Sequence, residues 1–505
     1  MTSNAAIARP AITSAAQDFL NAAEPRMLIN NEWVSGSGEH TIPSIDPATG
    51  ECMAHIAEAT AADIDAAVIA ARAALETGAW GKMTGAERAK LLWRMADLME
   101  QNIDELAELE TLDQGKPLGA GRWAEIPGAI DQFRFFAGQC TRLEGVTIPT
   151  SINYQPPGKR IHAYTIKQPV GIVAAIVPWN SPIIMAAMKL APALAAGCTM
   201  ILKPAEDTSL TTLRLGELLL EAGFPPGVVN IVTGRGEVTG QAMVDHAGID
   251  KIAFTGSTEI GKRIVNAATG NLKRVTLELG GKSPVIIMPD ADLDAAIPGA
   301  ANAIFFNAGQ VCVAGSRVYA HRDVFEQVVD GLSKAAEQLT LGHGLDTDTQ
   351  CGPLVSEKQS NRVLSYIEGG VKAGARVRAG GARGDAKGCF IQPTVMTDVT
   401  PDMAIVREEI FGPVVVCVPF DDVDEVIASA NDSEFGLAAS VWTQDLGAAH
   451  TLAEDVRAGT VWINCHSMFD ATLPIGGLKQ SGWGRESGQQ AVDNYLIEKT
   501  VCAVI

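Results

Sequence analysis

The amino-acid sequence predicts an α/β protein built on a parallel sheet with helices on both faces. From residue 169 onward, short runs rich in Val, Ile and Ala alternate with segments of helical periodicity. Strands that read as unbroken apolar runs are typical of parallel sheets, because crossover helices bury both faces. A second alternation of the same kind runs from residue 283 to about 481, and the length of 505 residues agrees with two or more domains.

The elements follow in order along the chain. Residues 60–77 and 84–143 are rich in Ala, Leu, Glu and Arg at helical spacing, which predicts a helical layer ahead of the sheet. The apolar runs then predict strands at 171–177, 199–202, 228–232, 251–254 and 274–279. The segments between them predict helices at 183–196, 209–221, 240–246 and 257–268.

Composition narrows the classes of partner and compartment. The net charge of −20 and the pI near 4.8 disfavour nucleic acid and anionic membranes, which are held mainly by clustered Lys and Arg. No apolar run approaches the roughly 20 residues of a membrane span, and the first 24 residues lack the features of a secretory signal. The nine cysteines are an odd number and show no metal-binding spacing. We therefore expect a reducing, cytoplasmic location without a bound metal.

Two residues suggest covalent catalysis. Cys312 ends the segment Phe-Asn-Ala-Gly-Gln-Val-Cys, and Glu278 lies in Leu-Glu-Leu-Gly-Gly at the end of a predicted strand. A thiol nucleophile and a carboxylate base are what thioester chemistry requires. Taken alone, however, a Cys in an apolar run is more often a small buried hydrophobe.

Polar residues after the strands suggest a dinucleotide site, because ligands of such sheets bind beyond the carboxyl ends of the strands. Gly256 and Ser257 open a predicted helix whose N–H groups could meet a pyrophosphate, although an ordinary N-cap would look the same. Lys203 and Glu206 follow the second strand, where an acidic residue can bind ribose hydroxyls. The alternative is that Lys203 and Glu206 lie on a solvent-exposed turn and bind no ligand.

The motifs together resemble the aldehyde dehydrogenase superfamily, in the family's order and spacing over about residues 28 to 500. The segments that carry the resemblance are Ile-Asn-Asn-Glu-Trp-Val at 29–34, Val-Pro-Trp-Asn at 177–180, Lys-Pro-Ala-Glu at 203–206, Phe-Thr-Gly-Ser-Thr-Glu-Ile-Gly at 254–261, Leu-Glu-Leu-Gly-Gly at 277–281, Gly-Gln-Val-Cys at 309–312, Glu-Ile-Phe-Gly-Pro at 409–413 and Lys-Gln-Ser-Gly at 479–482.

The resemblance implies roles for four catalytic residues. Cys312 would attack the aldehyde carbon, and the Asn180 amide with the Cys312 N–H would receive the oxyanion. Glu278 would activate the water that hydrolyses the thioester, and Lys189 would be linked to Glu278 in proton transfer. Asn180 could otherwise be a turn residue before a proline, and Lys189 an exposed helix cation.

The resemblance also implies NAD as the cofactor. Glu206 favours NAD because its charge would repel a 2′-phosphate, while Lys203 could partly offset that repulsion. The implied cofactor-binding residues are Ile176, Val177, Pro178, Trp179, Lys203, Ala205, Glu206, Gly236, Gly240, Phe254, Gly256, Ser257, Ile260, Leu279, Gly280, Gln359, Glu409 and Phe411.

Departures from the family pattern concern the substrate tunnel. Ser181, Met188 and Ile475 stand where the family commonly has Phe, Trp and Phe, so a wider tunnel and a bulky apolar or aromatic aldehyde are expected. The segments near the C-terminus look most like those of bacterial phenylacetaldehyde dehydrogenases. The predicted substrate residues are Ser181, Met185, Met188, Phe306, Val311, Val313, Phe469 and Ile475.

The resemblance implies four parts: an N-terminal extension at 1–27, a Rossmann-like NAD-binding domain at 28–148 and 169–281, a catalytic α/β domain at 282–483, and a β oligomerisation arm at 149–168 and 484–505. An isolated hairpin is at best marginally stable, so we expect the arm to pair with another subunit in a homotetramer (a dimer of dimers) or a homodimer. A CoA-acylating or semialdehyde dehydrogenase, and a non-catalytic protein on this fold, remain as alternatives.

Overall fold

The computed structural model describes residues 9–22, 24–152, 154, 156–384 and 388–505. Residues 1–8 and 23 of the predicted N-terminal extension, and residues 153 and 155 of the predicted arm, lie outside this set. Among the described residues, no helix is long and apolar enough to cross a membrane.

An eight-stranded sheet organises the first half of the chain. Its strands, in spatial order, are Glu32–Val34, Met27–Ile29, Val229–Ile231, Thr199–Lys203, Ile172–Ile176, Lys251–Thr255, Arg274–Glu278 and Gly482–Trp483. The five central strands are parallel, and the pairings at both edges are antiparallel. The predicted α/β class is therefore confirmed, and each of the five predicted strands begins and ends within one residue of its expected position.

Helices cover both faces of this sheet. Their bounds are Ser14–Ala22, Ala61–Glu76, Gly85–Gln101, Ile103–Gln114, Leu118–Ala120, Ile126–Gln139, Pro182–Ala196, Leu210–Ala222, Gln241–Asp245 and Thr258–Ala268, with a short 3₁₀ turn at Trp80–Lys82 and π-helical turns at Gly121–Glu125 and Gly236–Gly240. Alternate strand residues point to opposite faces. Val173 therefore packs under Phe133 and Leu190, whereas Ile172 packs under Ile64 on the other face.

A seven-stranded sheet organises the second half. Its spatial order is Arg376–Ala379, Thr394–Thr397, Val414–Phe420, Arg317–His321, Pro284–Ile287, Ala438–Trp442 and Thr460–Ile463, and only the first pair is antiparallel. The helices of this half are Leu293–Phe305, Phe325–Gln338, Glu357–Ala373, Ala404–Arg407, Val423–Asn431, Leu446–Asp455 and Gly488–Asp493, with a 3₁₀ turn at Phe306–Gly309. The second predicted α/β alternation is confirmed as a second, separate sheet.

The remaining strands form smaller sheets. Leu496–Val504 pairs antiparallel along the whole of Ile161–Pro169, and Thr147–Ile148 adds a short third strand on the other side. Two-stranded ribbons join Thr41–Ile45 to Cys52–Ala57 and Phe435–Gly436 to Leu478–Lys479. The last helix lies before the C-terminal strand, and its Ala491 and Val492 belong to the core beneath the eight-stranded sheet.

Candidate active site

The register of the parallel strands gathers the predicted site residues at one edge of the eight-stranded sheet. Ile176 pairs with Lys203 on one side and with Phe254 on the other. Thr255 pairs in turn with Glu278. Because the carboxyl ends of parallel strands meet at the same edge, positions 100 residues apart become neighbours there.

The loop that carries Cys312 has an uncommon backbone. After the helix Leu293–Phe305, the residues Asn307, Ala308 and Gly309 all have positive φ values, of 49°, 52° and 71°. A side chain at Gly309 would overlap the carbonyl oxygen of Gly412. Consecutive left-handed residues are costly away from glycine and persist only where the surroundings impose them. The loop is thus held in one shape against the Gly412 segment.

Asn180 is hydrogen-bonded to this loop in both directions. Its Nδ2 donates to the carbonyl of Gln310 at 2.9 Å, and Asn307 Nδ2 donates to the carbonyl of Asn180 at 3.0 Å. Gln310 is itself held, since its Oε1 accepts from the N–H of Val355 at 2.9 Å. An amide NH₂ has two hydrogens, so Asn180 keeps a second donor beyond the bond to Gln310. Asn180 is buried and its side chain is bonded to a distant loop, which a residue that only forms a turn before a proline would not require.

Glu278 ends its strand beside the Cys312 loop. A side chain at Gly281 would overlap the carbonyl of Cys312, so the glycine lets the two segments touch. Burial, followed by the nearby carboxylate of Glu486, raises the pKa of Glu278 well above its ordinary value. Burial, followed by the carboxylates of Glu409 and Glu278, raises the pKa of the Cys312 thiol to about 12. Burial therefore favours the uncharged thiol of Cys312, and it makes Glu278, when ionised, a stronger base than an ordinary Glu carboxylate.

Lys189 is buried, which excludes the alternative of an exposed helix cation. Its Nζ donates to Oε1 of Glu486 at 2.6 Å, and it opposes the rise in the pKa of Glu278. The sequence had not indicated Glu486, because it lies 297 residues away in a segment assigned to the arm. A single Glu in Gly-Arg-Glu-Ser has no periodicity or motif that would have identified it.

The residues predicted to lie on the adenosine side of the cofactor are grouped around Lys203. Its Nζ donates to the carbonyl of Pro204 at 2.9 Å and lies 3.5 Å from Oε2 of Glu206, so the two charges are paired. A Cβ at Gly240 would lie 3.8 Å from the Lys203 side chain, while a Cβ at Gly236 would meet nothing within 4 Å. Ile176, Val177, Pro178 and Ala205 lie at the ends of the same two strands.

The helix Thr258–Ala268 begins at the sheet edge. Ser257 caps it, since its Oγ accepts from the N–H of Ile260 at 3.4 Å, and Ile260 is exposed beside this end. Gly256 lies against the ring of Phe254, and Leu279 packs on Gly261. Ser257 is therefore an ordinary N-cap. The start of the helix is still open, so its N–H groups could also bind an anion.

The predicted nicotinamide-side residues lie together. The rings of Trp179 and Phe411 meet edge to face at 5.1 Å, and Phe411 has a positive φ of 60°. Gln359 holds this loop by donating to the carbonyl of Phe411 at 2.8 Å. Glu409 accepts from the N–H of Gly281 at 2.8 Å, and burial raises its pKa to about 7. Gly280 leaves room for that carboxylate, which a side chain there would overlap.

Three of the predicted substrate residues, Val311, Val313 and Ile475, form one apolar cluster with Cys312. Val313 is fully buried, so it packs beneath the other residues of this cluster and has no exposed surface of its own. Phe469 is half exposed and rests edge to face on Trp462, a residue of the same cluster.

The other predicted substrate residues belong to the segment that follows Asn180 or lie near Trp123. Met185 and Met188 belong to the helix Pro182–Ala196, and Met188 is buried. Phe306 meets Trp123 edge to face at 6.1 Å on the wall of a cleft of about 390 Å³. The hydroxyl of Ser181 donates to Oε1 of Glu125 at 3.0 Å, a partner that the sequence did not suggest.

Comparisons with known proteins identify the family of the chain. The family model described as "Aldehyde dehydrogenase family" matches residues 33–501. A phenylacetaldehyde dehydrogenase of Pseudomonas fluorescens is 46% identical over 478 residues, which are 94% of this chain and 95% of that protein. Human retinal dehydrogenase 2 is 46% identical over 482 residues, 95% of this chain and 92% of that protein. A solved structure of Bacillus cereus aldehyde dehydrogenase in complex with NAD+ is 51% identical, covers 99% of this chain and 100% of its own, and has a TM-score of 0.96. The chain belongs to the aldehyde dehydrogenase family.

Proposed function

We propose that this aldehyde dehydrogenase oxidises a bulky apolar aldehyde, such as phenylacetaldehyde, to its carboxylic acid with NAD, through a thioester on Cys312. The observation that carries the proposal is the meeting of three groups at one sheet edge. The Cys312 loop is hydrogen-bonded to Asn180, and it touches the segment that carries Glu278. A nucleophile, an oxyanion donor and a base are the groups that acyl transfer requires.

The first step is attack by Cys312 on the aldehyde carbon. The thiol is protonated at rest, so it must lose its proton as the C–S bond forms, and the raised pKa of Glu278 makes that carboxylate a fitting acceptor. The carbonyl oxygen becomes an oxyanion. The second N–H of the Asn180 amide and the backbone N–H of Cys312 stabilise it, and such a donor contributes about 3 kcal/mol.

The chain's residues fit the cofactor. The space around Gly236 and Gly240 is open, since a Cβ would meet nothing within 4 Å at Gly236 and only the Lys203 side chain at 3.8 Å at Gly240, and the helix that begins after Ser257 can receive a pyrophosphate. Glu206 can accept hydrogen bonds from the adenosine ribose, and Glu409 from the ribose beside the nicotinamide. NAD held by these residues would supply a hydride acceptor beside the carbon attached to Cys312, and loss of the hydride from that carbon would leave a thioester on Cys312. Trp179 and Phe411 would shield that carbon from water.

Glu278 then activates water for hydrolysis. The proton that it took from the thiol first passes to solvent, so that Glu278 can take a proton from water as the water oxygen attacks the thioester carbon. The C–S bond then breaks, and the leaving Cys312 sulfur recovers a proton from Glu278. Lys189, paired with Glu486, holds positive charge near the base. The presence of this base favours water over CoA as the acyl acceptor and argues against a non-catalytic protein.

The substrate proposal rests on the tunnel wall. Ser181 and Ile475 occupy less volume than aromatic rings, and the Ser181 hydroxyl is already bonded to Glu125. No Arg or Lys lies in the segment 467–473 to hold a carboxylate, which disfavours semialdehyde acids. The Trp123–Phe306 pair beside the cleft of about 390 Å³ offers apolar surface to a large substrate. The similarity to a phenylacetaldehyde dehydrogenase supports the same class.

The domain boundaries and the assembly are further parts of the proposal. We assign the sheet of Ile161–Pro169 and Leu496–Val504 to an arm that joins subunits in a homodimer or homotetramer. Its support is apolar exposure, since Val146, Ile148 and Val504 are 59%, 38% and 54% exposed. Scattered free cysteines fit a cytoplasmic location. Light scattering coupled to size-exclusion chromatography would measure the subunit number, and a strictly monomeric enzyme would contradict the arm.

An initial-rate panel tests the function directly. NADH absorbance is followed with aromatic, long-chain, hydroxylated and short aldehydes at fixed NAD. We expect the highest kcat/KM for phenylacetaldehyde and similar aldehydes, with acid as the product in the absence of CoA. Absence of NADH with every aldehyde would contradict the enzymatic proposal, whereas a preference for acetaldehyde would contradict only the substrate class.

A further inference from the structure

A strip of buried polar side chains runs away from Glu278 on one face of the eight-stranded sheet. Thr276 lies two residues before Glu278 on the same strand, so both point to the same face. The neighbouring strand contributes Lys251, whose Nζ donates to Thr276 Oγ1 at 3.1 Å, and Thr255, which pairs with Glu278. Apart from the exposed Arg274 at the start of the same strand, the strip is surrounded on this face by the apolar side chains of a core.

The strip faces the Lys189–Glu486 pair. The Nζ of Lys251 lies 5.3 Å from the ring centroid of Tyr495, and both side chains are buried, with 1% and 2% exposed. No carboxylate among the described residues forms an ion pair with Lys251. A buried ammonium without a direct counter-ion costs free energy and needs a reason to be present.

Four buried oxygens along the strip have no hydrogen-bond partner among the described residues. They are the hydroxyls of Thr255 and Tyr495, Oε1 of Glu278 and Oε2 of Glu486. Buried polar oxygens that lack a protein hydrogen-bond partner are normally hydrogen-bonded to internal water. The strip therefore has the polar surface that water needs to link Lys251 to the two carboxylates.

We propose that Lys251 is a positioning residue of this reaction, whose buried positive charge favours the ionised form of the Glu278 carboxylate. This inference rests on the proposed role of Glu278 as the base. Lys251 would act through the strip without touching substrate. It would add a third charged side chain to the Lys189–Glu486 pair.

The sign of the effect follows from the groups around Lys251. Burial and the positive charges of Lys189 and Arg274 lower its pKa, Glu486 and Cys198 oppose the shift, and the result is about 7. Lys251 is therefore charged below pH 7 and largely neutral well above it. Its charge opposes protonation of the Glu278 carboxylate in the acidic range and has no such effect in the alkaline range.

The test is the pH profile of kcat, measured from pH 5.5 to 9.5 by NADH formation with saturating phenylacetaldehyde and NAD. Lys251→Met should move the acid limb to higher pH by about one unit, with kcat several-fold lower near pH 6 and within about twofold of wild type near pH 9. Lys251→Arg, which keeps the charge, should restore the wild-type limb. Thr276→Val, which removes the acceptor of Lys251, should move the limb in the same direction by a smaller amount.

A uniform loss of kcat at all pH values in Lys251→Met, with no displacement of the limb, would overturn the inference and leave Lys251 a packing residue. If Lys251→Met fails to fold by circular dichroism, Thr276→Val decides, and an unmoved limb in that variant overturns the inference. Wild-type enzyme without NADH formation on any aldehyde would overturn the proposed function instead. The two failures are thus distinguishable.

Discussion

Replacing Asn180 by Ala should separate the two functions of its side chain, stabilisation of the oxyanion and support of the Cys312 loop. The amide donates to the Gln310 carbonyl at 2.9 Å, and its backbone carbonyl accepts from Asn307 at 3.0 Å. The variant loses the first bond and the oxyanion donor together. Loss of one hydrogen bond costs about 1 kcal/mol, or at most about tenfold in rate. Loss of an oxyanion donor costs about 100- to 1000-fold in kcat.

Asn307→Gly is the matched control. It removes the other hydrogen bond between the same two segments, and glycine accepts the backbone φ of 49° at this position. The control should therefore lose about tenfold in kcat at most, whereas Asn180→Ala should lose about 100-fold more than the control. Both variants are compared at saturating aldehyde and NAD by initial NADH formation.

The comparison has a clear negative outcome. If the two variants lose kcat equally, Asn180 acts only by holding the loop, and the oxyanion assignment is wrong. A larger KM for aldehyde with unchanged kcat in Asn180→Ala would lead to the same conclusion, because a donor that acts in the transition state must affect kcat.

Four further results are expected. Cys312→Ala should abolish NADH formation while NAD binding, followed by fluorescence titration, stays near normal; appreciable turnover would remove Cys312 from its role. Because the pKa of Glu278 is raised, wild-type kcat should fall as the pH falls through it, and Glu278→Gln should be slow with no such acid limb; unchanged steady-state turnover would refute the base assignment. Glu206→Ser should narrow the preference for NAD over NADP in kcat/KM, since it removes a repulsive charge and frees Lys203; a wild type that uses both cofactors equally would contradict this. Ser181→Phe should raise kcat/KM for acetaldehyde relative to phenylacetaldehyde, while Ser181→Ala, which also loses the bond to Glu125, should not; the same ratio in both variants would place Ser181 outside the tunnel.

Most of the fold could be predicted because local patterns determine it. The run at 251–254 is typical of a strand buried on both faces, and the structure has it as Lys251–Thr255 with a parallel strand on each side. The helix Gly85–Gln101 has a local start signal as well, a capping box between Thr84 and Glu87. Such signals depend on neighbours in sequence and can be read without the tertiary structure.

The missing parts depend on contacts between distant residues. The strand Gly482–Trp483 extends the first sheet by pairing with Arg274–Glu278, and its two residues have no pattern that reveals it. The bond from Ser181 to Glu125 and the pair of Lys189 with Glu486 likewise join residues 56 and 297 positions apart. Single polar residues have no period, so only the folded chain reveals their partners. The π-helical turn that ends at Glu125 is similarly absent from any local propensity.

The burial of Cys312 also bears on how long the enzyme survives between turnovers. With the thiol pKa raised to about 12, only about one molecule in 100,000 carries thiolate at pH 7 in the absence of substrate and cofactor. Peroxide and electrophilic metabolites react with thiolate far faster than with thiol. Cys312 is ionised only during the reaction, so between turnovers it is in the thiol form, which oxidants attack least. Burial thus makes a base necessary for catalysis and at the same time protects the sulfur from irreversible oxidation.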